Sequence, residues 1–209
     1  MRQNKYSFRL NLFLILCLVL AFSIMTSNLQ AADISEEILD EYNSLLDDAK
    51  TALEEGNQTK AKMKLDEASL LLWNNSPLRA ENVTLVKRAP EFYGDVIEVE
   101  DKTYHPGDRV YLYLEPKNYL IESNQADKYH MDIVLDTKLI FEDGTTVFHD
   151  PEFLRFQKKG SRPNKETNIH LFFNLSSNLN SGEYIIRNTI SDNLSDKQVV
   201  VETSFDFIK

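Results

Sequence analysis

The spacing of apolar residues along this chain changes twice, and each change marks a different kind of element. Leu12 to Met25 (LFLILCLVLAFSIM) is apolar apart from Ser23. From Asp33 to Trp73 the apolar residues Ile38, Tyr42, Leu45, Ala49 and Leu53, then Ala61, Leu65, Ala68, Leu71 and Leu72, recur at the spacing that gathers one face of an α-helix. Two amphipathic helices are predicted. Asp33 with Glu36 fits a capping box for the first, and Gly56 stops it. Thr59 starts the second, and Pro77 ends it. The short EEGNQT connection makes the pair an antiparallel hairpin.

After Pro90 the period drops from about 3.6 residues to about 2, the signature of half-buried strands. Val110, Leu112 and Leu114 alternate with Tyr111, Tyr113 and Glu115. Met131, Ile133, Leu135, Leu139 and Phe141 oppose His130, Asp132, Asp136 and Lys138, and EDG (Glu142–Gly144) turns the chain so that TTVFHD begins the return. Ile169, Leu171, Phe173 and Leu175 form a further inward set. The last hairpin places Tyr184, Ile186 and Ile190 before the loop SDNLSDK, and Val199, Val201, Phe205 and Phe207 after it. Strands that follow one another without intervening helices predict an antiparallel sandwich.

The first apolar run changes how the composition is read. MRQNKYSFR carries Arg2, Lys5 and Arg9 with no acid, and TSNLQAA leads out of the run in small and polar residues. A basic stretch, a short apolar run and a small-residue exit predict a secretory signal peptide over residues 1–32, cleaved after Ala32, with Ala31 the alternative. The run is too short to span a hydrocarbon core as a helix of about 20 residues. An uncleaved anchor is the alternative. The expected product is exported, periplasmic or secreted, and not inserted in the membrane once cleaved. Its helical hairpin covers 33–80 and its β-sandwich 81–209.

Cleavage removes Cys17, the single cysteine. Disulfides, thiolate catalysis and cysteine-bound zinc are thereby excluded from the mature chain. An exported chain without disulfides suits a bacterial envelope. Cleavage also takes three bases and no acid, moving the formal net charge from −10 to −13. That charge repels nucleic acid and anionic lipid, and no basic helix or arginine stripe offsets it.

SGEYIIRNTISD places Gly182 and Tyr184 at the start of the penultimate strand, which resembles the tyrosine corner of immunoglobulin-like domains. AKTALEEGNQTKAKMKLDEASLLL (49–72) resembles one tetratricopeptide-type helical pair; such repeats need about three neighbours to bury a core. Together LWNNSPL, FYGDVIEV, YHPGDRVYLYLEPKNY and SGEYIIRNTISD resemble a family of exported bacterial proteins that join a helical segment to a C-terminal immunoglobulin-like domain. The likeness covers Trp73 to Phe207. It implies a mainly β fold, an antiparallel immunoglobulin-like β-sandwich preceded by a helical hairpin, and it implies no chemistry.

Candidate chemistry is sparse. In YHPGDRVYLYLEP, Pro106 and Gly107 suit a turn with Asp108 bonding local amides, and RVYLYLE suits a strand. The histidines at 105, 130, 149 and 170 lack metal-ligand spacing. Asp132 and Asp136 share a strand face with His130 and are the one candidate acid–base or cation group, against the plainer reading of a solvated acidic surface. DNLSD (192–196) is oxygen-rich without the glycine and terminal glutamate of a calcium loop. No nucleophile elbow or phosphate-cradling loop occurs. The five N-x-S/T triplets, at Asn57, Asn74, Asn82, Asn174 and Asn193, become glycan acceptors only in a eukaryotic secretory route.

No catalytic residue, cofactor or metal is therefore expected. The expected function is a non-catalytic binding or assembly module that docks another protein through the sandwich or the hairpin. A carbohydrate-binding module is the alternative, and a secreted hydrolase the third reading. Neighbouring strands at 110–115 and 169–175 would place Tyr111, Tyr113 and Phe172 together on an outer face, a candidate interface on or beside which the hairpin is expected to pack.

Overall fold

A computed structural model describes residues 35–123 and 128–209. The expected signal segment and the expected cap Asp33 lie outside them. Helix α1 (Glu36–Glu54) starts at Ser35, whose hydroxyl accepts the Ile38 N–H; α2 (Gln58–Asn75) starts at Asn57, whose side chain accepts the Lys60 N–H at 3.0 Å. Both caps differ from the expected Asp33 and Thr59. A capping side chain accepts from an amide two or three residues on, and Ser35 and Asn57 stand at that offset from the Ile38 and Lys60 amides. Gly56 and Pro77 fall at the two ends as expected. The helices meet through Ala49, Ala52, Ala61 and Ala68, all buried, whereas Leu53 and Leu65 of the same stripes are exposed.

The rest is strand. β1 (Arg79–Val86), β3 (Arg109–Lys117) and β7 (Ile169–Asn174) form an antiparallel sheet in the order β1-β3-β7. The second sheet runs β2 (Thr103–Tyr104), β9 (Gln198–Phe207), β8 (Gly182–Asp192), β5 (Tyr129–Phe141), β4 (Glu122–Ser123), and β6 (Thr146–Gly160) also pairs with β5. Among the described residues only β2 and β9 pair in parallel. β1 begins at Arg79, so the boundary expected between 80 and 81 falls inside a strand. The fold is mainly β with an N-terminal helical part.

One core joins the sheets. Leu85, Val110, Leu112, Leu114, Ile169 and Leu171 from the first sheet face Ile133, Leu135, Ile186, Ile190, Phe205 and Phe207 from the second. The inward sets are those that the alternation predicted. Tyr184 stacks on Phe205 and donates its phenol proton to the Asn180 carbonyl at 2.9 Å. Gly182 beside it has φ 145°, and a Cβ there would lie 2.7 Å from the Phe141 ring, so only glycine fits.

The hairpin joins this body by the end of α2. Trp73 Nε1 donates to the Tyr119 carbonyl at 2.8 Å with its ring edge-on to Tyr119, and Asn74 exchanges two hydrogen bonds with the backbone of Ile121. Lys197 Nζ bonds the Asn74 and Asn118 carbonyls. These anchors lie at the β3–β4 connection. From the sequence the hairpin is expected to pack on or beside the Tyr111 and Phe172 face; its anchors lie instead at Tyr119, Ile121 and Lys197, because Trp73 and Asn74, just before Pro77, bond the chain there.

On one side of the body β1 lies against β9 and closes the gap between the sheets. On the other side β6 and β7 are both edges: among the described residues β6 pairs only with β5, and β7 only with β3.

Candidate functional site

The open side between β6 and β7 carries the aromatic surface. Tyr111 and Phe172 are opposite residues of the β3–β7 ladder, with ring centroids 6.1 Å apart. Phe172 is 46% exposed. Arg109 lays its guanidinium 4.5 Å from the Phe172 ring centre and 5.8 Å from that of Tyr111. Its Nε donates to Asn174 Oδ1 at 2.9 Å, which holds the cation in that pose.

Tyr113 does not belong to this surface. It is fully buried, because residues 87–99 fold back over that part of the β3 face. The Lys87 and Val99 amides bond the Ile97 and Leu85 carbonyls, and an Arg88–Asp95 ion pair ties the loop to itself. Beneath it the Tyr113 phenol donates to Glu115 Oε1 and accepts the Gly94 N–H, while Tyr93 donates to Glu115 Oε2 at 2.7 Å. Lys117 Nζ stands 2.9 Å from Glu115. Burial alone would raise the Glu115 carboxyl, but donors from Lys117, Tyr113, Tyr93 and Asn82 outweigh it and hold the group at about 2. Burial, reinforced by the Glu115 charge, pushes Tyr113 up to about 12. Every member is partnered within the cluster, so it is a strut under the loop.

Next to Phe172 the surface deepens into a cleft of about 300 Å³ lined by Leu139, Phe148, Phe153, Phe173, Leu175 and Leu179. Phe153 stacks on Phe173 with centroids 5.5 Å apart, and Phe148 meets both edge-on. Its polar lining is limited to Asn174 and Ser176. Such a cavity suits apolar side chains, and none of its lining residues carries a titratable acid or base. The sequence signal for it was the phenylalanines of TVFHDPEF, which read as a return strand but could not be assigned a face without the register of β6.

The remaining candidates are separated from one another. Asp132 is held by Arg155 at 2.6 and 3.0 Å, by Gln157 and by Asn193; the Arg155 bonds, against burial, bring it to about 2. Asp136 pairs with His149, and His130 with Glu122. The three residues that share a sequence pattern thus have three different partners. Among the described residues no group of three or more His, Cys, Asp or Glu converges to hold a metal ion. His105 and Asp108 close the expected turn, with Gly107 at φ 92°. In DNLSD, Asp192 accepts the Leu120 and Leu194 amides and the Ser195 hydroxyl, joining the last hairpin to the β3–β4 connection. A polar cleft between α2 and residues 162–165 carries Lys62, Arg162 and Lys165, but Lys62 pairs with Asp66 and Lys165 with Ser69. Among the described residues no helix is long and apolar enough to cross a membrane.

No family model and no curated protein sequence matches this chain. Among solved structures it is similar to a family 123 glycoside hydrolase from Clostridium perfringens, at 12% identity and TM-score 0.38 over 64% of this chain and 28% of the other. It is also similar to a Niemann-Pick type C2 protein from Japanese carpenter ant, at 5% identity and TM-score 0.36 over 64% and 94%. The C-terminal domain of wzt is a third, at 13% identity and TM-score 0.33 over 66% and 85%. The chain spans little more than a quarter of the length of that hydrolase. All three are distant likenesses.

Proposed function

We propose that this chain is an exported, non-catalytic binding module of the bacterial envelope, which docks a protein partner through Tyr111, Phe172 and the adjoining cleft. The observation that carries the reading is the union of the exposed Phe172, paired with the half-buried Tyr111, with an apolar cavity at the side where, among the described residues, β6 and β7 leave free edges. An apolar surface of this kind on a single chain marks an interaction site. Each acid of the candidate acid–base group already has a partner of its own, Arg155 for Asp132 and His149 for Asp136, which supports binding over chemistry. Tyr113, which lies under the loop, has no part in the interface.

The body that presents this surface is an immunoglobulin-like domain of the exported family that the sequence motifs resemble. The orders β1-β3-β7 and β9-β8-β5, with β6 extending the second sheet, support reading these strands as the A-B-E and G-F-C strands of such a domain. The Tyr184 bond to Asn180 supports the tyrosine-corner reading at the start of the F-like strand. Capture from envelope extract tests the function: a protein retained by the native chain and released by Phe172→Asp supports it. Retention unchanged by that substitution, together with selective binding on a glycan array, would replace it with the carbohydrate-binding alternative.

A further inference from the structure

We infer that β7 is a strand-accepting edge: an extended, alternately apolar segment of another polypeptide adds beside β7 and seats one apolar side chain among Phe148, Phe153 and Phe173. The inference rests on the docking reading and specifies how the partner is held.

The two edges of the open side are built differently. β6 carries Pro151, a register shift against β5 near that proline, and the charges Asp150, Glu152, Arg155, Lys158 and Lys159. These are the devices by which natural sheets prevent unwanted pairing. β7 reads Ile-His-Leu-Phe-Phe-Asn, with no proline, no acid, no lysine or arginine and an unbroken register against β3. One edge is defended and the other is not. The Leu175 N–H donates to the Asp108 carbonyl at 2.9 Å, which fixes the phase of the ladder. By alternation Ile169, Leu171 and Phe173 turn their backbone groups to β3, and His170, Phe172 and Asn174 turn theirs outward.

The cleft lies at that edge. Phe172 and Phe173 are consecutive strand residues whose side chains leave opposite faces. Both line the same cavity, so the cavity wraps around the free edge of β7. A guest strand, about 4.8 Å away along the hydrogen-bonding direction, would send alternate side chains into it. Backbone pairing would supply affinity and the pocket would supply selectivity.

Arg109 adds a charge preference. Its contacts are Asn174, the Tyr111 hydroxyl and two rings, and among the described residues no carboxylate pairs with it, in a chain with 33 acids and 23 bases. A guest with a carboxylate beside the Asn174 end completes that site.

The probe is the acetylated, amidated nine-residue peptide Glu-Thr-Val-Thr-Phe-Thr-Val-Thr-Glu, titrated into the full chain while amide hydrogen exchange is followed by NMR. At saturation the His170, Phe172 and Asn174 amides are expected to slow by about tenfold or more, as a newly formed hydrogen bond requires. His170→Pro, which removes one outward N–H, and Phe148→Ala, which empties part of the cleft, are each expected to weaken binding by about tenfold. Unchanged exchange at the three amides of the bound protein, or no binding at millimolar peptide, overturns strand addition. The exchange measurement uses the unaltered chain, so it decides the matter even if His170→Pro does not fold. A partner captured from envelope extract in a Phe172-dependent way, with those amides unprotected, would retain docking and remove this mode; capture insensitive to Phe172 removes the docking reading itself.

Discussion

Glu115 is buried beneath the 87–99 loop and ionised there by its donors. Its carboxyl titrates at about 2 in the folded chain against an ordinary 4.5, so the folded state binds the proton less tightly than the unfolded state. The resulting stabilisation is present in full above the unfolded value and disappears as pH falls from 4.5 toward 2; its size is about 3 kcal/mol. Asp132, lowered from 3.8 to about 2, acts in the same direction. Melting temperature is therefore expected to hold from neutrality to about pH 5 and then fall steeply. Glu115→Gln is expected to flatten the acid limb and to cost roughly 3 kcal/mol at neutral pH by leaving the buried Lys117 with only the more distant Glu81, 3.9 Å away, as counter-charge. A loss below about 0.5 kcal/mol, the scale of an ordinary surface change, would mean that the loop does not seal the cluster. Gly182 gives a second check at this scale. Gly182→Ala is expected to lower stability by more than Gly144→Ala in a denaturant titration, because the added Cβ meets the Phe141 ring at one site and open space at the other.

At the scale of elements, the hairpin and the sheets are coupled by very few side chains. Leu70 and Trp73 pack on the core, and Asn74 carries the paired backbone bonds. Trp73→Ala removes both the ring packed against Tyr119 and the bond to its carbonyl, a change on the order of 3 kcal/mol. Limited proteolysis of this variant is expected to cut within residues 36–75 well before the strands. Phe172→Ser is expected to leave those cleavage rates as they are, because the hairpin is anchored at Tyr119, Ile121 and Lys197, and Phe172 is not among these anchors. Faster cleavage of the hairpin in the Phe172→Ser protein would show a contact between them that the fold does not contain.

Over the whole molecule, protection should follow the number of covered sides. β8 is paired by β5 and β9, and β5 by β8 and β6, with both strands contributing to the single core. α1 is supported chiefly by α2 through small residues, and its Leu39 and Leu53 remain exposed. Native-state hydrogen exchange is expected to report α1 opening in a separate, low-energy step while β5 and β8 exchange only on global unfolding. Equal protection in α1 and β8 would indicate one cooperative unit with no weaker part.

The sequence by itself determined the elements and their inner faces, since a period of about 3.6 or 2 residues states which side of a helix or strand must leave water. Ile133, Leu135, Leu171, Ile186 and Phe205 face inward as the alternation required. The same is true of the turn at Pro106 and Gly107, where local backbone geometry leaves little choice. The roles of Tyr111, Tyr113 and Phe172 were beyond it. Periodicity placed all three on one outer face, yet residues 87–99 roof Tyr113 and leave the other two open, and that roof is held by pairings between Lys87 and Ile97 and between Val99 and Leu85. Nor did it place Phe148 and Phe153 beside Phe173, which depends on β6 and β7 ending different sheets on the same side. Faces follow from neighbours a few residues apart, whereas covers, edges and clefts follow from segments far apart in sequence, and only the tertiary structure decides which of those segments meet.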